Sequence, residues 1–221
     1  MSTLVAAAAA ASTVDDPLLV VEAAPSGGVV AARWGWPREE TIAELAMDVA
    51  GGVDLWGRAR PWLAGSRVLP GDPAATVMRQ AQVGSWLASQ LAAIAHPVLI
   101  DAGRVDGSAD QLELLSAAEH VWVLIDPTVA QVTAAKAVAS WLHRAGPLAL
   151  LVREQTTGPG RYPAAEAAAT LGWPLVATVP VDRPSAAALC GLAPARREFR
   201  RAPLVRTGRE LAGRLTAEVA V

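Results

Sequence analysis

The residues best suited to chemistry in this sequence are Asp101 and Gly103, in the stretch VLIDAGR. A carboxylate at the end of a buried strand can hold a magnesium-bound water. A glycine two residues later lets the backbone approach a phosphate. The same spacing is also typical of an aspartate that caps the turn after its strand. The sequence alone leaves both interpretations open.

A second glycine-containing stretch, EAAPSGG, follows the apolar run at 18–21. Gly27 and Gly28 either shape a loop near a phosphate or begin a tight turn into a helix, and the turn is the favoured interpretation. A third polar stretch, PVDRP at 180–184, follows the last apolar run and is predicted to be a loop.

Continuous apolar runs and helix-length segments alternate along the chain. Within each run the residues are apolar throughout and do not switch between apolar and polar. This pattern predicts strands that are buried on both faces of a parallel sheet. Strands are predicted at 18–21, 98–100, 121–125, 148–152 and 175–179, and helices at 2–11, 39–49, 74–95, 128–144, 162–171, 184–192 and 203–219. The predicted fold is α/β, a doubly wound, mostly parallel sheet with helices on both faces, whose carboxyl edge collects the polar residues.

The length, the net charge and the cysteine content of the chain limit the classes of protein to which it can belong. The chain has 221 residues, 52% of them hydrophobic, which favours a single globular domain over 1–221. A net charge of −2 gives no global attraction to nucleic acid or membrane. Cys190 is the only cysteine and the three histidines are scattered, which excludes a disulfide framework and fits a reducing cytoplasm.

Five stretches together resemble one family. They are LLVVEAAPSGG, HPVLIDAGR, VWVLIDPTVAQVTAAKAVASWL, LGWPLVATVPVDRPSAAAL and APLVRTGRELAGRL, in that order. Their order and spacing resemble the MinD/ParA-like P-loop ATPases, particularly actinobacterial ones with VEADPSGG after the second strand. The resemblance implies ATP and Mg²⁺ as cofactors and a cytoplasmic role in cell division or chromosome partitioning. It also implies a homodimer and a protein partner.

The resemblance assigns roles to particular positions. Asp101 matches the magnesium-side aspartate, which is also the candidate catalytic residue, and Gly103 matches the switch glycine. The loop that borders the adenine matches Pro180, Val181 and Asp182. Ser2 and Thr3 fall on the last two positions of the Walker A pattern KGGxGK[ST]T, where Ser2 would be a magnesium ligand.

Two departures put ATP hydrolysis in doubt. Met1 falls on the Walker lysine, and the only lysine of the sequence is Lys136, inside a predicted helix. Ala24 stands where the family has the aspartate of its switch region. The first hypothesis is therefore a degenerate ATPase that acts by binding partners, and the second is an active ATPase whose start has been misplaced.

The family's first strand and glycine loop also have no counterpart here, and that strand would lie inside the sheet beside the strand ending at Asp101. Unpaired buried backbone groups there would cost about 1–3 kcal/mol each. Three explanations stay open. The true start lies upstream, the neighbouring strands pair directly, or a partner chain supplies a strand.

Two features near the C-terminus suggest further partners. Arginines are dense from 196 onwards, and Arg196, Arg197, Arg200 and Arg201 are candidates for DNA binding without sequence preference. The alternative is a solvated loop. The last helix has an apolar stripe that includes Leu204 and Leu211, for which packing on the sheet is favoured over membrane binding. A membrane partner is therefore not expected.

Overall fold

A computed structural model of the chain describes residues 2–10, 17–37, 40–48, 53–154, 161–195 and 197–217. The chain divides into two compact units. The first unit comprises Met1–Asp106 together with Asp182–Val221, and the second comprises Gly107–Val181. The single domain over 1–221 stays a prediction.

The first unit contains a four-stranded sheet. Its strands are β1 (Leu19–Glu22), β2 (Arg60–Pro61), β3 (Arg67–Leu69) and β4 (Val98–Asp101). Their order is β2-β3-β1-β4, with β1 parallel to both neighbours and β2 antiparallel to β3. Every residue of β1 is buried, as a continuous apolar run in the middle of a sheet predicts.

The second unit contains a three-stranded parallel sheet. Its strands are β5 (Val121–Ile125), β6 (Leu148–Arg153) and β7 (Leu175–Val179), in the order β5-β6-β7. The register of β6 against β7 shifts between Leu150 and Leu151, which marks a bulge or irregularity. Both sheets therefore have the parallel pairing that the apolar runs predict, and α/β is confirmed as the fold class.

Helices flank both sheets. In chain order they are α1 (Ser2–Ala9), α2 (Val30–Arg33), α3 (Ile42–Asp48), α4 (Leu55–Arg58), α5 (Ala75–Gln80), α6 (Val83–Gln90), α7 (Ala109–Ser116), α8 (Val129–Leu142), α9 (Ala164–Leu171), α10 (Arg183–Leu189) and α11 (Pro203–Ala217). Helices α7 to α9 belong to the second unit and the others to the first. The predicted helix at 74–95 is wrong as one element, because Gln82 has a φ of 46° and separates α5 from α6.

Helix α1 is a buried alanine-rich helix covered by α11. Residues 4–9 of α1 are all buried. Gly208 of α11 lies so close to α1 that a Cβ at this position would meet the Ala7 carbonyl oxygen at 2.5 Å. The stripe residues Leu204 and Leu211 are buried, which confirms a packing role, but the principal partner of α11 is α1 rather than the sheet.

Each sheet ends in a largely apolar edge strand. Among the described residues β4 pairs only with β1, and β5 pairs only with β6. Direct pairing of β4 with a strand other than β1, which is one of the three explanations that the sequence leaves open, is therefore not seen in the described part of the chain. The apolar side chains of β4 are partly exposed, whereas those of β1 are buried. An edge with these properties can accept a further strand.

Candidate functional site

Two buried carboxylates lie side by side at the carboxyl edge of the first unit's sheet. Glu22 ends β1 and Asp101 ends β4, and the parallel register places them opposite each other. Their relative exposures are 2% and 4%. The carboxyl edge of a parallel sheet is where ligands of α/β proteins bind, so these two residues define the candidate site of this unit.

Asp101 caps the turn that follows its strand. Its Oδ1 accepts a hydrogen bond of 3.0 Å from the backbone N–H of Gly103. The turn-capping interpretation of the sequence is therefore realised in the structure. No group of three or more histidine, cysteine, aspartate or glutamate side chains suited to a metal ion occurs in the described part of the chain. The role of Asp101 toward magnesium stays a prediction.

Glu22 has a larger hydrogen-bonding role than its place in the sequence suggests. Its carboxylate accepts hydrogen bonds from the backbone N–H groups of Val29 at 2.7 Å, Val30 at 3.2 Å and Gly71 at 3.1 Å. Burial raises the pKa of Glu22 above its ordinary value of 4.5, the three N–H groups oppose that rise, and the nearby charge of Asp101 adds to it. Glu22 therefore holds the loop after β1 against the loop after β3.

The PSGG stretch is a closed turn. The N–H of Gly27 donates to the carbonyl of Ala24, and the N–H of Gly28 donates to the carbonyl of Asp72. A Cβ at Gly28 would lie 2.5 Å from the Glu22 carboxylate. The N–H groups of residues 27–30 already bind a carboxylate or a carbonyl of the chain itself, which agrees with the interpretation of this stretch as a tight turn.

Gly103 and Ala24 meet where the resemblance places the switch residues. Gly103 has a φ of 72°, and a Cβ at this position would lie 2.6 Å from the Cβ of Ala24. Glycine is needed here both for the left-handed backbone and for the close approach. Ala24 is itself buried, so a methyl group occupies the position of the family's aspartate.

The Walker-type positions lie at the start of α1. Ser2 begins the helix, and its side chain lies outside the described part of the structure. The hydroxyl of Thr3 lies 3.6 Å from the Sγ of Cys190, which also accepts a hydrogen bond from Arg33 at 3.3 Å. Lys136 is exposed on α8 in the second unit. The first unit therefore has no lysine that could neutralise a phosphate at the start of α1, and the role of Ser2 toward magnesium stays a prediction.

The positions matched to the adenine loop divide between the two units. Asp182 caps α10 through a 3.1 Å hydrogen bond from the Ser185 N–H to its Oδ1. Pro180 and Val181 follow β7 in the second unit, and Val181 is exposed. At the carboxyl edge of that unit's sheet, Arg153 pairs with Asp126, which the sequence analysis missed. Both are polar residues at strand ends, the same signal that identified Asp101.

The arginine cluster lies on the surface. Arg196 falls outside the described residues, while Arg197, Arg200 and Arg201 are exposed. Helix α11 adds exposed arginines at 206, 209 and 214. A solvent-exposed loop and a DNA-binding surface would both have exposed arginines, so the structure leaves both interpretations open.

The fold defined by these elements is that of P-loop nucleotide-binding α/β proteins. More specifically, the chain has the fold of the MinD/ParA ATPases. It matches the cell-division ATPase MinD of Pyrococcus furiosus with a TM-score of 0.73 and 17% identity, over 99% of this chain and 93% of that one. It also matches a ParA-family ATPase of Chlorobium tepidum with a TM-score of 0.74 and 15% identity, over 96% of this chain and 91% of that one.

MinD of Pyrococcus horikoshii, solved in complex with Mg-ADP, matches with a TM-score of 0.76 and 16% identity, over 99% of this chain and 90% of that one. At these identities the likeness concerns the fold. No family model and no curated protein sequence matches the chain. Among the described residues, no helix is both long and apolar enough to cross a membrane.

Proposed function

We propose that this chain is a degenerate MinD/ParA-like protein of the positioning or partitioning type, which acts by binding partners and not by hydrolysing ATP. The observation that carries the proposal is the buried methyl of Ala24 packed against Gly103, where the resemblance expects an aspartate. The carboxylate of Glu22 supports it, because it already binds the N–H groups of the neighbouring loop.

The proposed partners are a second copy of the chain and another protein. The chain shares its fold with a MinD solved in a complex with MinC, from Aquifex aeolicus. The lone cysteine favours a cytoplasmic setting for such assemblies. Because ATP is not expected to drive the cycle, we expect the sedimentation coefficient of the chain to be the same with and without Mg-ATP.

Phosphate release from Mg-ATP tests the proposal. The wild type is expected to release phosphate at the background rate, indistinguishable from Asp101→Asn. Asp48→Asn serves as the matched control, because Asp48 is an exposed carboxylate at the end of α3. Magnesium-dependent turnover that disappears in Asp101→Asn and persists in Asp48→Asn would overturn the degenerate assignment.

An active ATPase is the second candidate, and the apolar edge strand β4, which pairs only with β1 among the described residues, favours it. A segment preceding Ser2 would supply the missing strand and the Walker A loop, and Ser2 and Asp101 would then hold magnesium. Intact mass of the protein purified from its native cell tests this. A mass of 22.8 kDa favours the degenerate protein, and a mass a few kDa higher favours the ATPase.

Binding of DNA without sequence preference is the third candidate, favoured by the exposure of the arginine cluster. Retention of DNA is expected to fall steeply with salt, because bound arginines release counterions from the phosphates. Arg200→Gln with Arg201→Gln is expected to weaken retention, whereas Arg58→Gln, at an exposed arginine on α4, is not. Flat salt dependence would exclude this function.

A further inference from the structure

The two edge strands of the first unit's sheet differ in sequence. One edge is β2, which consists of Arg60 and Pro61 alone. Proline has no N–H to offer a further strand, and the charged Arg60 is paired with Glu40 at 3.8 Å. Short length, proline and charge are the features by which natural sheets keep an edge from pairing with another chain. The edge at β2 is therefore protected.

The opposite edge, at β4, has none of these features. This strand is four residues long, and its first three residues are Val98, Leu99 and Ile100. All three are partly exposed, whereas every residue of the neighbouring β1 is buried. Leu99 nevertheless packs against the apolar cluster on one face of the sheet, so this face of β4 is covered. A continuous apolar run is typical of a strand with a neighbour on each side, and β4 has one on one side only among the described residues.

The pairing of β4 with β1 fixes the direction of the backbone groups along β4. The N–H of Leu19 in β1 donates to the carbonyl of Pro97 at 3.0 Å, so Pro97 faces β1. Backbone groups of alternate residues point the same way in a strand. Leu99 therefore also faces β1, whereas Val98 and Ile100 point their N–H and C=O groups away from it. Two donors and two acceptors thus lie along the outer edge of β4, where no other described strand pairs with them.

We propose that β4 is a docking site for an extended apolar segment of another protein, which adds a strand to this sheet. Such a segment offers backbone donors and acceptors at the spacing that Val98 and Ile100 present. It is apolar on both of its faces, because consecutive side chains of β4 point to opposite faces of the sheet and are apolar on each. The occupant would be the protein partner of the proposed function, on which this assignment rests.

Hydrogen exchange of the full chain, followed residue by residue by NMR, tests the proposal. The probe is a synthetic peptide that copies residues 17–22, because this segment contains β1, which pairs with β4 through its backbone. In the free chain the N–H of Leu99 is expected to exchange slowly, and those of Val98 and Ile100 quickly. Saturating peptide is expected to slow Val98 and Ile100 by roughly tenfold or more and to leave Leu99 unchanged.

Two valine-to-lysine variants separate the edge from general surface effects. Val98→Lys places a charge on the open edge and is expected to weaken peptide binding roughly tenfold or more. Slow exchange at Leu99 in this variant shows that β4 still pairs with β1. Val129→Lys changes a valine that is 51% exposed on α8 of the second unit, and it is expected to bind the peptide as the wild type does.

Three results would overturn the docking site. The first is slow exchange of Val98 and Ile100 in the free chain, because the chain itself or a second copy would then cover the edge. The second is fast exchange of both residues with saturating peptide, and the third is equal weakening by the two lysine variants. Turnover of Mg-ATP would overturn the degenerate assignment without changing these readings, so the two proposals fail separately.

Discussion

The close contact between α11 and α1 predicts opposite effects for two glycine-to-alanine changes in the same helix. A Cβ at Gly208 would lie 2.5 Å from the carbonyl oxygen of Ala7 and 2.7 Å from its Cβ. A Cβ at Gly213 meets no atom within 4 Å. Both changes gain about 0.5–1 kcal/mol of helix propensity. Only Gly208→Ala must also push apart two packed helices, at a cost of about 1–3 kcal/mol.

We therefore expect Gly208→Ala to lower the free energy of unfolding by up to about 2.5 kcal/mol, after the propensity gain of about 0.5–1 kcal/mol is subtracted from the overpacking cost. Gly213→Ala is expected to raise it by about 0.5–1 kcal/mol. Urea unfolding followed by circular dichroism measures both, with the wild type as reference. If Gly208→Ala were as stable as Gly213→Ala, α1 would not be held against α11 as the structure shows. The placement of Ser2 and Thr3 would then lose its basis.

Three further predictions concern the site and the turn before β3. Ala64 has a φ of 46°, in the left-handed region that glycine adopts without strain. Ala64→Gly is therefore expected to raise the free energy of unfolding, measured by urea titration, by about 1 kcal/mol. A lower free energy of unfolding would show that the backbone at this turn is not left-handed. Asp101→Asn is expected to lower the pKa of Glu22, observed by carboxyl NMR, because it removes a neighbouring negative charge; an unchanged pKa would refute the coupling. Because the pKa of Glu22 is raised in the folded protein, its contribution to stability is fully present below pH 4.5, its ordinary pKa. This contribution is lost as the pH rises through the raised pKa of the folded state. The stability of the wild type relative to Glu22→Gln should therefore fall over that window, and a rise with pH would contradict the assigned direction.

The strands were predictable because burial on both faces leaves a continuous apolar run. The runs at 121–125 and 175–179 match β5 and β7 at both ends. Strand β2 was missed, since it is two residues long and lies in a stretch rich in tryptophan and arginine. Strand β3 was indicated by the short apolar stretch at 68–70, which overlaps it at 68–69. The break at Gln82 was missed as well, because the nearest glycine, Gly84, lies two residues further on and falls on the predicted apolar face.

The candidate site was predictable only in part. Asp101 stood out because a glycine follows it at a recognisable spacing. Glu22 has no such local signal, since one of its donors, Gly71, lies 49 residues further along the chain.

Calorimetric titration of the full chain with Mg-ATP measures whether this protein with a MinD/ParA fold has a degenerate nucleotide site. No saturable heat is expected, because the N–H groups of the loops after β1 and β3 that could hold a phosphate already bind the Glu22 carboxylate. Saturable binding of one Mg-ATP per chain that is lost when magnesium is removed would contradict it.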